Sequence, residues 1–228
     1  NQNGYPIGYF FGYKAIGVFQ TQEEIDNYIS PATGKPIQPN AVPGDTKFED
    51  LNGDGVISDD NEDRTMIGKP NPDWIVGLTV AADWNGFDLS AFFQGSFGAD
   101  VFDALRRYEL AAVNYTSDAL ERWTGPGTSN SMPRIVLGDT PKNFRPSTLL
   151  VHDASFLRLR NLQVGYTLPV QLTRKAYIQR LRFYASFDNL LTITGYKGMD
   201  PEIGSTMGID KGVYPQARVY TFGLNLTF

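Results

Sequence analysis

Two runs of alternating residues, separated by a pair of turn residues, constrain the fold of this chain more than any other feature. Every second residue of Trp74–Trp84, and of Phe87–Phe97 except Gly95, belongs to an apolar set, and a period of two indicates β-strands with one apolar face. Asn85-Gly86 between the runs is the preferred pair for a two-residue type I′ hairpin turn. Such a turn puts both apolar faces on the same side of the predicted hairpin. The apolar set comprises Trp74, Val76, Leu78, Val80, Ala82, Trp84, Phe87, Leu89, Ala91, Phe93 and Phe97.

The same alternation recurs later in the chain. Leu181–Asn189 and Tyr220–Phe228 each place apolar residues at every second position. In Leu157–Pro169 the apolar positions move from odd to even numbers, which predicts a β-bulge near Arg160-Asn161. These stretches raise the predicted strands to five.

An earlier stretch, Tyr5–Phe19, is the sixth candidate strand, although glycines interrupt its aromatic residues. The connections between the six candidates alternate between short and long, and the long ones fall at one end. Such strands and loops are typical of a transmembrane β-barrel, and the terminal aromatic Phe228 favours this over the alternative, a soluble antiparallel sandwich or barrel. Closed single-chain barrels have at least about eight strands, so we expect this chain to supply part of a barrel. The long connections are 20–73, 98–154 and 192–216.

Composition argues against several classes of function. The chain has no cysteine, which excludes thiol catalysis and thiolate metal sites. It has a single histidine, so any histidine-dependent triad would have to use His152. A net charge of −5 gives no basic surface for nucleic acid. We therefore predict neither an enzyme nor a nucleic-acid-binding protein.

Several stretches, in order and over nearly the whole chain, resemble the C-terminal portion of SusC/RagA-type TonB-dependent outer-membrane transporters. The resemblance implies an all-β fold, an antiparallel transmembrane barrel of 22 strands filled by an N-terminal plug domain, of which residues 1–228 would supply about six strands with long extracellular loops. The stretches are GYPIGYFFGYKAIGVFQTQEEI, DLNGDGVISDD, DRTMIGKPNPDWIVGL, NGFDLSAFFQGSFG, SFLRLRNLQVGYTLP, RFYASFDNLLTITGYKGMDPEI and YPQARVYTFGLNLTF.

The resemblance also implies a function and partners. Members of this family import oligosaccharides or peptides across the outer membrane of Gram-negative, Bacteroidetes-like bacteria, with energy passed on by TonB and a SusD-like surface lipoprotein as a lid. The remaining barrel, the plug and outer-membrane lipid would be further partners, and TonB would act through the N-terminal part that this chain lacks. The alternative is a calcium-dependent cell-surface binding or adhesion domain that folds alone.

Residues 45–68 form a calcium-loop-like stretch that we expect to be an extracellular insertion. Oxygen ligands at alternate positions, with a glycine at the sixth, are the pattern of a calcium loop, and Gly55 holds that position. The twelfth position should be glutamate but is Asn61, so Asp60, Glu62 or Asp63 would have to close the site. The alternative is an acidic, solvated turn whose side chains cap their own backbone. The candidate ligands are Asp50, Asn52, Asp54, Val56 through its carbonyl, Ser58, Asp60 and Asp63.

Six residues are candidates for contact with a substrate. Three aromatic residues of the long loop could stack on sugar rings or cover a peptide, and three strand residues would face the barrel lumen, since charge on the lipid face is costly. The alternatives are that the aromatic residues pack the loop onto the barrel rim and that the lumenal charges pair with one another. The candidates are Tyr108, Tyr115, Trp123, Arg158, Arg182 and Tyr184.

Overall fold

The structure is a computed structural model that describes residues 3–59, 62–105, 114–202 and 207–228. Its contacts divide the chain into two compact units. The loop unit comprises Asn1–Asn71, Asp100–His152 and Gly204–Gly212, and the sheet unit comprises Pro72–Ala99, Asp153–Ile203 and Val213–Phe228.

The secondary structure is mainly strand. Two short α-helices, α1 (Gln22–Asp26) and α2 (Val170–Thr173), and four 3₁₀ turns complete it in the part of the chain that the structure describes. No helix in the described ranges is long and apolar enough to cross a membrane. The strands are β1 (Phe10–Tyr13), β2 (Ala15–Val18), β3 (Thr46–Phe48), β4 (Arg64–Gly68), β5 (Trp74–Trp84), β6 (Phe87–Phe97), β7 (Asp100–Asp103), β8 (Val151–Asp153), β9 (Phe156–Thr167), β10 (Arg180–Thr194), β11 (Ile209–Asp210) and β12 (Val219–Thr227).

The sheet unit is one antiparallel sheet of five long strands in the order β12-β10-β9-β6-β5. The predicted hairpin register is confirmed, because Trp84 pairs with Phe87 and Val80 pairs with Ala91. Asn85 and Gly86 both have positive φ angles, 49° and 87°, as a type I′ turn requires. The local turn chemistry and the alternation therefore specify the same pairing.

One face of this sheet is apolar across all five strands. On β5 the apolar residues end in Trp74 and Trp84, which are 71% and 77% exposed, and on β12 Phe222 is 75% exposed. The strand register keeps the apolar residues of neighbouring strands side by side, since Leu89 pairs with Val164 and Val164 pairs with Ala185. A contiguous apolar surface of this kind is a contact surface for lipid or for another protein.

The predicted bulge is confirmed at Arg160. Consecutive residues Phe92 and Phe93 of β6 pair with Asn161 and Leu159, which leaves Arg160 as the extra residue of β9. The neighbouring strand compensates, because β10 skips two residues between Asp188 and Leu191 over the same stretch. The bulge explains why the apolar set changes from odd to even numbers along β9.

The loop unit is built from small sheets. Strand β1 pairs with β4, β2 pairs with β3, and β7 lies between β8 and β11. Many of its apolar side chains are buried, whereas those on the apolar face of the sheet unit are mostly exposed. The buried set includes Phe10, Tyr13, Val18, Phe19, Ile25, Ile37, Phe48, Val101, Ala119, Met132, Phe144 and Leu150.

The prediction that Tyr5–Phe19 forms a sixth strand of the long sheet is wrong. This stretch forms the short strands β1 and β2 of the loop unit instead. Its glycines have a packing role, since a Cβ on Gly12 would lie 2.4 Å from the Pro146 carbonyl oxygen and Gly17 has a φ of 147°. Within the described residues, five long strands rather than six therefore lie side by side in the sheet.

Candidate functional site

The polar face of the five-stranded sheet carries charged side chains that span several strands. Arg182 of β10 reaches across β9 to Asp88 of β6, with Nε 2.9 Å from Oδ1 and Nη2 2.5 Å from Oδ2. Gly165 of β9 makes this possible, because a Cβ there would lie 2.5 Å from atoms of both side chains. The two parallel hydrogen bonds between Arg182 and Asp88 hold β10 and β6 in register on either side of β9.

Tyr184, a second residue predicted to contact substrate, lies beside this pair. Its ring lies under the Arg182 guanidinium at 5.1 Å and covers Gly223 of β12, where a Cβ would be 2.5 Å from the Tyr184 ring. Arg182 and Tyr184 are thus brought together on the polar face. The sequence signal for this arrangement is the pair of glycines, Gly165 and Gly223, that leaves room for the two side chains.

Arg158, the third strand candidate, is 2% exposed. Its Nε donates to Thr192 Oγ1 at 2.9 Å, and its two terminal nitrogens bind Asp200 and Glu202. A ligand could reach this guanidinium only by breaking these bonds. Sequence reasoning missed the two acidic partners, because they lie in a connection 42 and 44 residues further along the chain.

The described part of the acidic loop, residues 50–59 and 62–63, is ordered by its own side chains. Asp50 accepts hydrogen bonds from the amides of Gly53 and Gly55 at 2.8 and 2.9 Å. Asp63 is 0% exposed and accepts from the amides of Leu51 and Ser58, both at 3.1 Å. These bonds hold the described residues of the loop in a compact turn.

The donor types in this loop fit calcium, which takes oxygen ligands in flexible geometry. Gly55 has the positive φ, 88°, expected at the sharp turn of such a loop. However, no group of three acidic or histidine side chains within the described ranges is gathered so that it could hold a metal. Asp60, a candidate for closing the site, lies outside the described residues. Calcium binding therefore stays a prediction.

A contact that the sequence did not predict anchors the loop at Asp59. The Lys142 ammonium donates to the Asp59 carboxylate, and Arg145 lies 3.8 Å from it. The hydrogen bond from Lys142 lowers the pKa of the Asp59 carboxyl. Nearby, Tyr13 donates its hydroxyl to the Ser58 carbonyl at 2.6 Å. Because Lys142 is 83 residues away in sequence, no local pattern indicates this ion pair.

The two aromatic candidates of the long loop that the structure describes lie in different surroundings. Trp123 donates to Gln20 at 3.1 Å and packs on Gly44, where a Cβ would lie 2.4 Å from the indole ring. Tyr115 is 48% exposed and lines a cavity of about 500 Å³. Tyr108 lies outside the described residues. Trp123 thus packs within the loop unit, and Tyr115 borders open space.

Comparisons with known proteins agree with the fold. No protein-family model matches the chain. TonB-dependent receptor P3 of Formosa agariphila is 34% identical over 238 residues, which cover 100% of this chain and 23% of that protein. TonB-dependent receptor SusC of Bacteroides thetaiotaomicron is 31% identical over 219 residues, which cover 95% of this chain and 20% of that protein. The chain spans less than a third of the length of the curated relatives that it matches.

Solved structures give the same result. The RagAB peptide importer in its open-open state is 27% identical with a TM-score of 0.71, over 99% of this chain and 23% of the matched chain. The RagAB peptide transporter is 28% identical with a TM-score of 0.70, over the same shares of both chains. From these relatives, which match almost the entire chain, it follows that the chain belongs to the SusC/RagA-type TonB-dependent receptors and forms part of their β-barrel.

Proposed function

We propose that this chain supplies part of the wall of an outer-membrane importer that takes up oligosaccharides or peptides. The observation that supports this most strongly is the sheet with two different faces. One face is apolar and exposed over five strands, as a surface against lipid would be. The other carries hydrogen-bonded charges such as Arg182 and Asp88, as the wall of a polar lumen would.

The cargo and partners follow from the relatives by analogy. RagAB is a peptide importer, which favours a peptide cargo, whereas the wider family also covers oligosaccharide uptake. We propose a SusD-like surface lipoprotein as the partner at the outer surface, energy from TonB through the plug, and the outer membrane of a Bacteroidetes-like bacterium as the location. A surface adhesion domain that folds alone has no support from the relatives.

The test is uptake by the full-length receptor. We expect deletion of its gene to abolish growth on either a mixture of peptides or a mixture of oligosaccharides as the limiting nutrient, and complementation to restore it. Deleting the TonB gene should have the same effect. Growth that is unchanged on both mixtures would contradict the importer. Affinity purification of the receptor from outer membranes should recover a surface lipoprotein in equal amount.

We also propose that the acidic loop binds calcium. The support is the set of oxygen donors at alternate positions and the hydrogen bond from the Gly55 amide to Asp50, which presents that carboxylate toward the loop interior. Isothermal titration of the full-length receptor with calcium should show one site that is lost in Asp54→Ala. Titration of Glu23→Gln, which changes an exposed acid elsewhere, is the control. Equal heats in all three proteins would contradict the proposal.

A further inference from the structure

The segment 195–202, which follows β10 and is called the ledge below, folds onto the polar face of the sheet. Asp200 Oδ1 accepts a hydrogen bond from Arg158 Nη2 at 2.5 Å, and Glu202 Oε2 accepts one from Arg158 Nη1 at 2.9 Å. Glu202 Oε1 pairs with Arg160 Nη2. Two acids of the ledge therefore bind two arginines of β9.

The Arg158–Asp200 pair is buried and has its hydrogen bonds satisfied, whereas Arg160 and Glu202 are partly exposed. Arg158 is 2% exposed and Asp200 is 5% exposed. Asp200 also accepts from the amides of Gln216 and Glu202 at 3.0 and 2.9 Å. Burial alone would raise the pKa of the Asp200 carboxyl, but the two amides and Arg158 outweigh it, and its pKa is lowered. The Asp200 carboxylate is thus ionised at neutral pH, and removing one partner of the pair would leave a buried charge uncompensated.

The bulge in β9 prepares the binding surface for the ledge. Arg160 is the extra residue there, and its Nε donates to Gln94 of β6 at 2.7 Å while a terminal nitrogen reaches the ledge. The matching irregularity of β10 contains Asn189, whose φ is 52° and whose amide group donates to the Ala217 carbonyl at 2.9 Å. The connection between β10 and β12 is thus held against the sheet by Asp200 and Glu202 near its start and by Ala217 near its end.

The ledge turns back along the strands instead of continuing away from them. Strand β10 ends at Thr194, which pairs with Phe156, the first residue of β9. Arg158 and Arg160 lie two and four residues further along β9, so the acids of the ledge bind below the strand ends. In a barrel whose outer face is apolar, the polar face encloses the lumen.

We propose that the ledge is a fixed inward fold that narrows the lumen at its loop end, and that the Arg158–Asp200 and Arg160–Glu202 pairs limit the size of the solutes that enter. The inference rests on the proposed function only in taking this lumen as the uptake path. The ion pairs act by positioning the ledge, and they need not touch the cargo. The ledge has the sequence GYKGMDPE.

The experiment uses the full-length receptor in the outer membrane of intact cells, with Asp200→Asn/Glu202→Gln as the variant. Release of the ledge is measured as trypsin cleavage after the exposed Lys197. We expect it to rise about 100-fold, since loss of one partner of a buried pair costs enough to change the open population by that factor. The size limit is measured at Gln163→Cys, a polar-face position of β9 beyond the bulge. This chain has no cysteine of its own.

The cysteine is labelled with maleimides of graded size, from N-ethylmaleimide to maleimides on increasingly long poly(ethylene glycol) chains. We expect the variant to admit longer reagents than the parent, at an unchanged rate for N-ethylmaleimide. The matched control is Glu23→Gln/Asp26→Asn, which removes the same charge from the exposed helix α1 and should change neither readout. If the double variant fails to assemble, Glu202→Gln alone carries the test, with about a tenfold rise in cleavage.

Each other outcome overturns the inference. Unchanged cleavage would mean that the pairs do not hold the ledge, and faster cleavage with the same size limit would mean that the ledge does not narrow the lumen. Failure of N-ethylmaleimide to label the parent would mean that no open path lies beyond the ledge. Labelling requires no transport, so a failure of uptake in the growth test above would leave these results interpretable.

Discussion

The loop unit and the sheet unit place the same kinds of residue in opposite environments. In the loop unit aromatic residues such as Phe19 and Phe48 are 0% and 1% exposed, whereas Trp84 and Phe222 of the sheet unit are 77% and 75% exposed. Buried charged side chains occur in both units, for example Asp63 in the loop unit and Arg158 in the sheet unit. The loop unit is thus organised as a protein in water, and the sheet unit as a wall between lipid and a polar interior.

The largest effect should come from emptying the core of the loop unit. Phe19→Ala removes a ring that lies 5.9 Å from Tyr28 and is fully buried, and such changes cost about 3–5 kcal/mol. Pulse proteolysis of the full-length receptor should show this loss as easier cleavage within the loop unit. Ile7→Ala, at a position 78% exposed, should stay within about 0.5 kcal/mol. Equal effects of the two changes would mean that Phe19 is not a core residue.

The next largest effect should come from charge on the apolar face of the sheet. Leu78→Arg, near the middle of β5, should cost about 2–4 kcal/mol, because it puts an ion into the hydrocarbon layer. Thr79→Arg, one residue further along and on the opposite face, should cost far less. The measurement is the amount of receptor that assembles in the outer membrane. In a water-soluble sheet the exposed Leu78, at 55%, would tolerate arginine, so equal assembly would contradict the comparison.

A smaller loss of stability is expected when the glycine beneath the Arg182–Asp88 pair is replaced. Gly165→Ala should separate these side chains, at a cost of about 1 kcal/mol for overpacking. Gly77→Ala on β5 is the matched control, since the nearest atom to its Cβ would be 3.7 Å away, and alanine there should be neutral or stabilising. Urea unfolding of the receptor in detergent micelles compares the two. A larger cost at Gly77 would argue against the role assigned to Gly165.

The smallest effect should be the pH dependence of the Asp59–Lys142 ion pair in the loop unit. Because the pKa of Asp59 is lowered in the fold, its contribution to stability is present above the ordinary value of 3.8 and is lost as the pH falls through the lowered pKa. Lys142→Gln should therefore lower the melting temperature slightly at neutral pH and not at all once Asp59 is protonated. Lys35→Gln is the control. A difference that persists in strong acid would assign the effect to something other than this ion pair.

The two units also differ in how far the sequence predicted them. Asn85-Gly86 and the alternation around it predicted the β5–β6 hairpin to the residue, and the change of parity in β9 predicted the bulge at Arg160, because both signals are local. The loop unit depends on contacts between distant residues, so Tyr5–Phe19 was assigned to the wrong sheet.

The candidate sites show the same limit. Alternation predicted that Arg158 and Arg182 would lie on the polar face, but not that Asp200 and Glu202 would fold back onto Arg158. The loop that begins at Asp50 has a local sequence pattern that predicts its turn. Calcium binding by this loop remains a prediction. Sequence patterns thus define which face a side chain occupies, whereas its partners depend on tertiary structure.

The most direct test of the difference between the units is a spin-label scan along β5. Single cysteines replace each residue of 75–83 in the full-length receptor and carry a nitroxide, and collisions with oxygen, which concentrates in lipid, are compared with collisions with a water-soluble nickel complex. We expect a period of two, with oxygen collisions favoured at even positions such as Leu78 and Val80. Nickel favoured at the even positions, or no alternation, would contradict a sheet that faces lipid.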